Sequence, residues 1–586
     1  MCPRHISGAS GLLAVISGAF AAGLAPAVAV SARGAGSVDN RPVPRRARLM
    51  ATADPAATTH PHLVEDRRRL SRSLVWQLQR AFYERRGALA WTAGRVPWFV
   101  SSNACLARAY AQVIDAHLRD VAAGAHGPEH AASTVQIVEV AAGPGRFAFL
   151  VLEQLLALDA LRAGLGPRAP FRYIVTDLSE ANLAFCATHP ALRPHLDAGR
   201  LDLARFDAER DTELHLRRSG DVLAPAPAGG PMIVVANYAF DTFTHDAFRV
   251  EGGALHESLP AVYSTAAEPT LDEPDLLERL RLVYERVAID DAYYGDPALD
   301  TILAGYRRTL TDTTVCVPIG ALTCLRALHQ LAGGRLLLLA ADKGFVVEDE
   351  LLHRDDPQPV LHGSFSLSVN FHALASWFRH HGGHAFDVTQ RDGTIAITGF
   401  VAGAVPAAVA RTRAAFADWI ETFGPADFFQ LQVDQRGADK PPGLGSLLAM
   451  LRLADWDPWL FYQLADRLRR QLDDASDAVR RDTRRALTRV WARYYHLGGD
   501  QDVPFEIARI LQRLRHHTEA IAFYRRSIEL FGASHVTHHN MGLCHHYGLQ
   551  HHADALAEFE RALALDPDYG PARAWKLRAE AELRGA

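Results

Sequence analysis

The segment Ile137–Phe149, IVEVAAGPGRFAF, ends a β-branched run in an acid, sets glycines at 143 and 145, and continues as an apolar helical stretch. A strand-to-helix turn built from small residues lets backbone pass close beneath a ligand. Polar residues recur at the ends of later strand-like runs: Asp177 in FRYIVTDLS, Asp207 in RFDAE, and Asn237 in PMIVVANYAFD. A carboxylate at such a strand end can accept both hydroxyls of a ribose, and an acid or amide on the next strand can accept an exocyclic amine. Any one such acid is more often a helix cap, but four features in chain order point to a nucleoside-containing ligand.

The dinucleotide fingerprint GxGxxG fails, because Ala148 holds its third position and it calls for no acid before the turn. Glu139-x-Ala141-x-Gly143-x-Gly145 instead matches the S-adenosylmethionine turn E-x-G-x-G-x-G, with alanine at the first glycine. The expected cofactor-binding residues are Glu139, Ala141, Gly143, Gly145, Asp177, Leu178, Asp207, Ala208 and Asn237. Glu139 is expected to organise the turn through backbone N–H groups and to face the cofactor's cationic end. Asp177 would take the ribose and Asp207 the adenine amine. Methyl transfer needs positioning and water exclusion more than a base, so no catalytic dyad is required. The candidate catalytic residues are Asn237, Tyr238 and Asp241: an amide to hold cofactor or nucleophile, a wall or hydrogen-bond partner, and an anchor for a cationic substrate. An equal reading makes Tyr238 and Phe240 core aromatics and Asp241 a helix cap.

These residues need a scaffold of alternating strands and helices. Strands are expected at 134–141, 171–179, 199–209, 231–241 and 335–342, with helices at 146–163, from 180, at 320–334 and at 369–383. Two more strands are expected within 384–403, joined around Asp392-Gly393. The fold class is therefore α/β, a Rossmann-like doubly wound sheet of seven strands with the last antiparallel. Residues 74–91 and 96–118 read as helices before it, and 250–315 as a polar, mostly helical insertion. From 406 the pattern is all helix. Ala508, Ala520, Tyr524 and Ile528 in one stretch, and Gly542, Ala555, Phe559, Leu563 and Pro567 in the next, repeat at a spacing of 35 residues. That spacing resembles tetratricopeptide repeats. The domains are a leader at 1–64, a catalytic domain at 65–405, a helical linker with room for degenerate copies at 406–500, and repeats at 501–586.

The chain has 586 residues, net charge −5 and only three lysines, so no basic field argues for nucleic acid. The arginine excess reads as the codon bias of a GC-rich bacterial genome. Six scattered cysteines form no CxxC pair, which fits a reducing compartment. Residues 11–30 are uncharged and signal-like, but rich in Ala and Gly and broken by Pro26, and Met50 offers a second start. A cytoplasmic protein is expected, with no membrane contact unless that segment is real. Histidine pairs at 380–381, 516–517, 538–539, 545–546 and 551–552 fall at repeat turns and solvent faces, and no metal is expected.

Residues 65–405 resemble class I S-adenosylmethionine methyltransferases, and among them the MidA-like family, bacterial relatives of a mitochondrial complex I assembly methyltransferase. WFVSSNACLARAYAQVI, VANYAFDTF, VPIGALTCL, LLAADKGF and SVNFHAL are similar to family segments in the same order. The resemblance implies methyl transfer from S-adenosylmethionine. Ala141 replaces a family glycine, Asn103 a proline and Tyr238 a glutamate, so the family's arginine methylation does not carry over. The repeats imply a protein or peptide partner, and the chain reads as a methyltransferase whose substrate they recruit. The alternative is a cofactor-binding scaffold that acts through its repeats.

Overall fold

A computed structural model describes residues 62–86, 102–227, 229–267, 276–290, 292–361, 365–386, 395–435 and 442–585. The signal-like segment, Met50, residues 87–101 of the N-terminal helical region and the Asp392-Gly393 turn lie outside the described residues. Among the described residues no helix is long and apolar enough to cross a membrane.

Seven strands form the main sheet: β1 Val135–Glu139, β2 Phe171–Asp177, β3 Leu201–Arg205, β4 Met232–Asn237, β5 Leu336–Asp342, β6 His384–Ala385 and β7 Ala396–Ala402. Their order is β3-β2-β1-β4-β5-β7-β6. The pairs from β3 to β5 are parallel. β7 runs antiparallel to both β5 and β6, with Leu336 opposite Ala402 and His384 opposite Val401. All seven residues of β5 are buried. Such continuous apolar runs suit a sheet covered on both faces. Alternate residues serve opposite cores: Val138, Val234 and Leu338 face one, Ile137, Val235 and Leu337 the other. Helices Ile319–Leu331 and Phe371–His380 cover the first face, and α2 (Ala104–Ala122) and α3 (Arg146–Arg162) the second. Before them, α1 spans Leu74–Arg86, and between β2 and β3 runs α4, Glu180–Thr188.

The region 250–315 is not mostly helical. Its described residues supply strands Asp246–Glu251, Ala254–Ser264, Leu280–Ala288 and Thr313–Val317 to a second, antiparallel sheet, with a 3-10 turn at Leu276–Arg279 and an α-helix at Pro297–Thr309. The first two strands join at Gly252-Gly253, both at positive φ (59° and 78°). A Gly-Gly pair supplies the left-handed backbone that a two-residue hairpin needs. Strand His62–Glu65 pairs with Val262–Ser264, so the fold begins within the expected leader.

Past β7 the described residues are helical. Helix Ala410–Phe416 is tied to α2 by Asp120, which accepts from the Thr412 amide (2.8 Å) and hydroxyl (2.7 Å). Helix hairpins follow: α5 Val503–Arg513 with α6 His517–Phe531, and α7 His535–Leu543 with α8 His552–Leu565, then α9 Gly570–Gly585. Ala508, Ala520, Tyr524, Ala555 and Phe559 are fully buried. A Cβ on Gly542 would lie 2.5 Å from the Phe559 ring, so only glycine lets these helices close. One core runs from Phe428 through Leu464, Val490 and Ile507 to Cys544, across the expected boundary at 500.

Candidate functional site

The strand order reverses between β1 and β4, and open α/β sheets bind ligands at the carboxyl ends of strands where that happens. The turn after β1 lies there. Ala141, Gly143 and Gly145 all have positive φ, at 52°, 59° and 76°. The Ala142 amide donates to the Thr176 carbonyl (2.9 Å), and the Gly143 amide to Asp177 Oδ2 (2.8 Å). Asp177 Oδ1 accepts from the Ser179 amide (2.7 Å) and the Asn182 side-chain amide (3.2 Å). Asp177 thus shapes the turn, the role expected of Glu139. Glu139 reaches no turn amide. It is buried and accepts from the Tyr173 hydroxyl at 2.9 Å. Burial raises its carboxyl to about 8, the Tyr173 bond opposes this, and the Asp177 charge adds to it. Burial also raises Asp177, against its three N–H donors. Gly145 serves packing: a Cβ there would meet Cys186 Sγ at 2.8 Å and Leu192 at 3.1 Å.

The remaining expected residues divide. Leu178 lies half-buried on the rim, and Ala208 is buried. The Asp207 carboxylate is ion-paired to Arg80 of α1, which also reaches Glu209 at 3.2 Å. Asn237 Oδ1 accepts from the Tyr110 hydroxyl of α2 at 3.0 Å. Tyr238 is half-buried and left-handed (φ 50°), and its amide donates to the Ala341 carbonyl at 2.8 Å. Asp241 is only 2% exposed and sits against Asp342, the last residue of β5. Its amide donates to Asp342 Oδ2 at 3.1 Å, while its own Oδ1 has no hydrogen-bond partner. Burial lifts Asp241 to about 6 and Asp342 well above the carboxylate range; the Asp241 charge adds to the latter. Two adjoining carboxyls share a proton more easily than they bear two charges. The same pair, after burial, raises the Tyr238 hydroxyl, and Asp342 does so for Tyr110.

The site therefore joins Asn237, Tyr238 and Asp241 to two residues that were not singled out, Tyr110 and Asp342. Asp342 carried a signal, an acid ending the apolar run LLLLAAD; Tyr110, buried mid-helix, carried none. The helical region also reaches the turn. Tyr495 donates its hydroxyl to the Pro144 carbonyl (2.7 Å) and stacks on His189 at 3.7 Å. Arg146, first residue of α3, pairs with Asp457 at 3.1 Å, both buried.

No protein-family model matches this chain, and no curated protein does. Solved structures similar to it include two proteins of one superfamily, both from Burkholderia thailandensis. One, described as uncharacterized, is 14% identical, with a TM-score of 0.35 over 59% of this chain and 90% of its own. The other, described as a candidate methyl transferase bound to S-adenosyl-homocysteine, is 15% identical, with a TM-score of 0.35 over 58% and 96%. Likeness at this level assigns nothing to this chain, and the MidA-like and tetratricopeptide resemblances rest on the sequence segments alone.

Proposed function

We propose that this chain is an S-adenosylmethionine-dependent methyltransferase with a seven-stranded class I fold, acting on a protein that its C-terminal, tetratricopeptide-like helix hairpins recruit. The observation that carries this reading is the left-handed turn Ala141–Gly145, pinned by Asp177 at the point where the strand order reverses. The residues fit the cofactor in modified form. Ala141, Ala142 and Leu178 give a rim of small or apolar side chains over two buried carboxyls, Glu139 and Asp177. An ionised carboxylate offers about four acceptor directions, and protein donors fill three on Asp177. One ribose hydroxyl can be accepted there, not a pair. Asp207, held by Arg80, acts on adenine only as part of that ion pair.

The bound cofactor supplies an activated methyl group on a sulfonium. This chain's residues hold and orient. Asn237, fixed by Tyr110, presents its amide at the rim. Tyr238, whose hydroxyl stays protonated, forms a wall that can donate one hydrogen bond. The Asp241–Asp342 pair stores a proton beneath them. The cytoplasm, where this cofactor is made, is the compartment the reading implies.

A second reading, a cofactor-binding scaffold without transfer, is favoured by one observation: the strand-end carboxylates are largely engaged by the protein itself. Lysate incubated with purified chain and methyl-labelled S-adenosylmethionine separates the two. Label in a protein band, absent with Asp177→Ala, supports transfer. Cofactor binding by calorimetry without label supports the scaffold, and absence of binding overturns both.

A further inference from the structure

We propose that the turn joining α7 to α8 is a binding site for a divalent transition cation, Zn2+ first among them, held by His545, His551 and Asp554. The backbone builds the site. α7 continues as a π-helical turn over Cys544–Leu549, and Gln550 is left-handed at φ 57°. The His551 amide then donates back to the His545 carbonyl at 3.0 Å. π-turns are rare and frequently lie at functional sites. Here the turn folds HHYGLQHH so that His545 stacks beside His551 with ring centres 6.2 Å apart, and His546 beside His552.

Asp554 Oδ2 stands 3.9 Å from His545 Nδ1 and 3.6 Å from His551 Nδ1, and the three ligand atoms lie within 4.8 Å of one another. His545 is 8% exposed and its Nδ1 has no hydrogen-bond partner. A buried polar nitrogen without a partner costs about 1–3 kcal/mol, and a cation between the three groups would use it. The neighbouring histidines are already engaged. His538 Nδ1 meets Glu558 at 2.6 Å, and His546 and His552 face each other at 3.2 Å.

Two imidazoles and one carboxylate suit zinc-class ions rather than Ca2+ or Mg2+, which take oxygen ligands. Bonds of about 2.0 Å at tetrahedral angles set ligand atoms about 3.3 Å apart. His551 and Asp554, with side chains 59% and 64% exposed, are free to close that distance. The fourth position stays open to water. The cation would tie the end of α7 to the first turn of α8.

Chelator-competition titration of the full chain with ZnCl2 tests this. One site with Kd below about 10 µM is expected. The double variant His551→Ala/Asp554→Ala alters only exposed side chains, so circular dichroism should be unchanged while affinity falls at least about 30-fold. His215→Ala, an exposed histidine on the sheet domain, should bind as the parent does. Zn2+ should raise the Tm of the parent and not of the double variant. The proposal is overturned if the parent binds no Zn2+ tighter than about 100 µM, or if the double variant binds as tightly as the parent.

Discussion

The carboxyl end of the sheet and the α7–α8 turn both gather ionisable side chains, and they treat them in opposite ways. At the sheet, Glu139, Asp177, Asp241 and Asp342 are all under 10% exposed, and hydrogen bonds to the protein occupy most of their oxygens. At the turn, His551 and Asp554 are open to solvent and His545 keeps a free nitrogen. Buried carboxyls held by the protein shape the sheet end; solvent-exposed side chains beside an unpartnered nitrogen give the turn a capacity to bind. On the proposed reading the rim of Ala141, Ala142, Leu178, Asn237 and Tyr238 meets the cofactor together with the one open acceptor direction of Asp177, while the other acids hold that rim in place.

Four substitutions press on this contrast, in order of falling effect. Arg146→Ala should cost about 3–5 kcal/mol in chemical denaturation, because it strands buried Asp457. Asp457 also caps helix Pro458–Arg470 and accepts from the Ala104 amide. A loss under about 1 kcal/mol would show that the helical region and the sheet are independent. Glu139 comes next. In the fold its carboxyl stays protonated to about pH 8, against 4.5 as the ordinary value. Its contribution is full below pH 4.5 and is lost as pH rises through 8, with a limiting slope of about 1.4 kcal/mol per pH unit. Glu139→Gln should flatten the stability curve across that window; an unchanged curve would mean that the carboxyl is ionised and solvated.

Asp177→Ala should weaken S-adenosylmethionine by about 1.5–3 kcal/mol in calorimetry, through the ribose contact and the loosened turn. Unchanged affinity would remove Asp177 from the site. Ala141→Gly should be the mildest, raising stability by up to about 1 kcal/mol by relieving a left-handed alanine. If it lowers the Tm, the alanine methyl packs better than its backbone strains.

Much of the sheet was legible because its cues are local. Ile137–Glu139, Phe171–Asp177 and Leu336–Asp342 are apolar runs ending in acids, and glycines follow the first. The antiparallel sheet was not. Its strands carry charged residues such as Glu257, Glu285 and Arg286, and the deciding cue, Gly252-Gly253, is two residues long. At the site, Asn237 and Asp177 could be read because strand ends announce themselves. Arg80, Tyr110, Arg146 and Tyr495 could not, since nothing near them in the chain records the partners they meet after folding. The repeat spacing placed Ala520, Tyr524, Ala555 and Phe559 in the core, but not the meeting of His545 with His551, which depends on a π-turn without a sequence period.

The bond from Tyr495 to the Pro144 carbonyl joins residues 351 positions apart. A ribosome adding roughly 5–20 residues per second brings out the glycine turn about 20–70 s before its brace exists. Over that interval the nascent chain carries Pro144 and His189 without the tyrosine that covers them. A fragment that ends between Ala402 and Tyr495 contains every strand of the main sheet and still lacks the finished turn, so premature termination in that stretch yields a chain whose Ala141–Gly145 turn is held loosely.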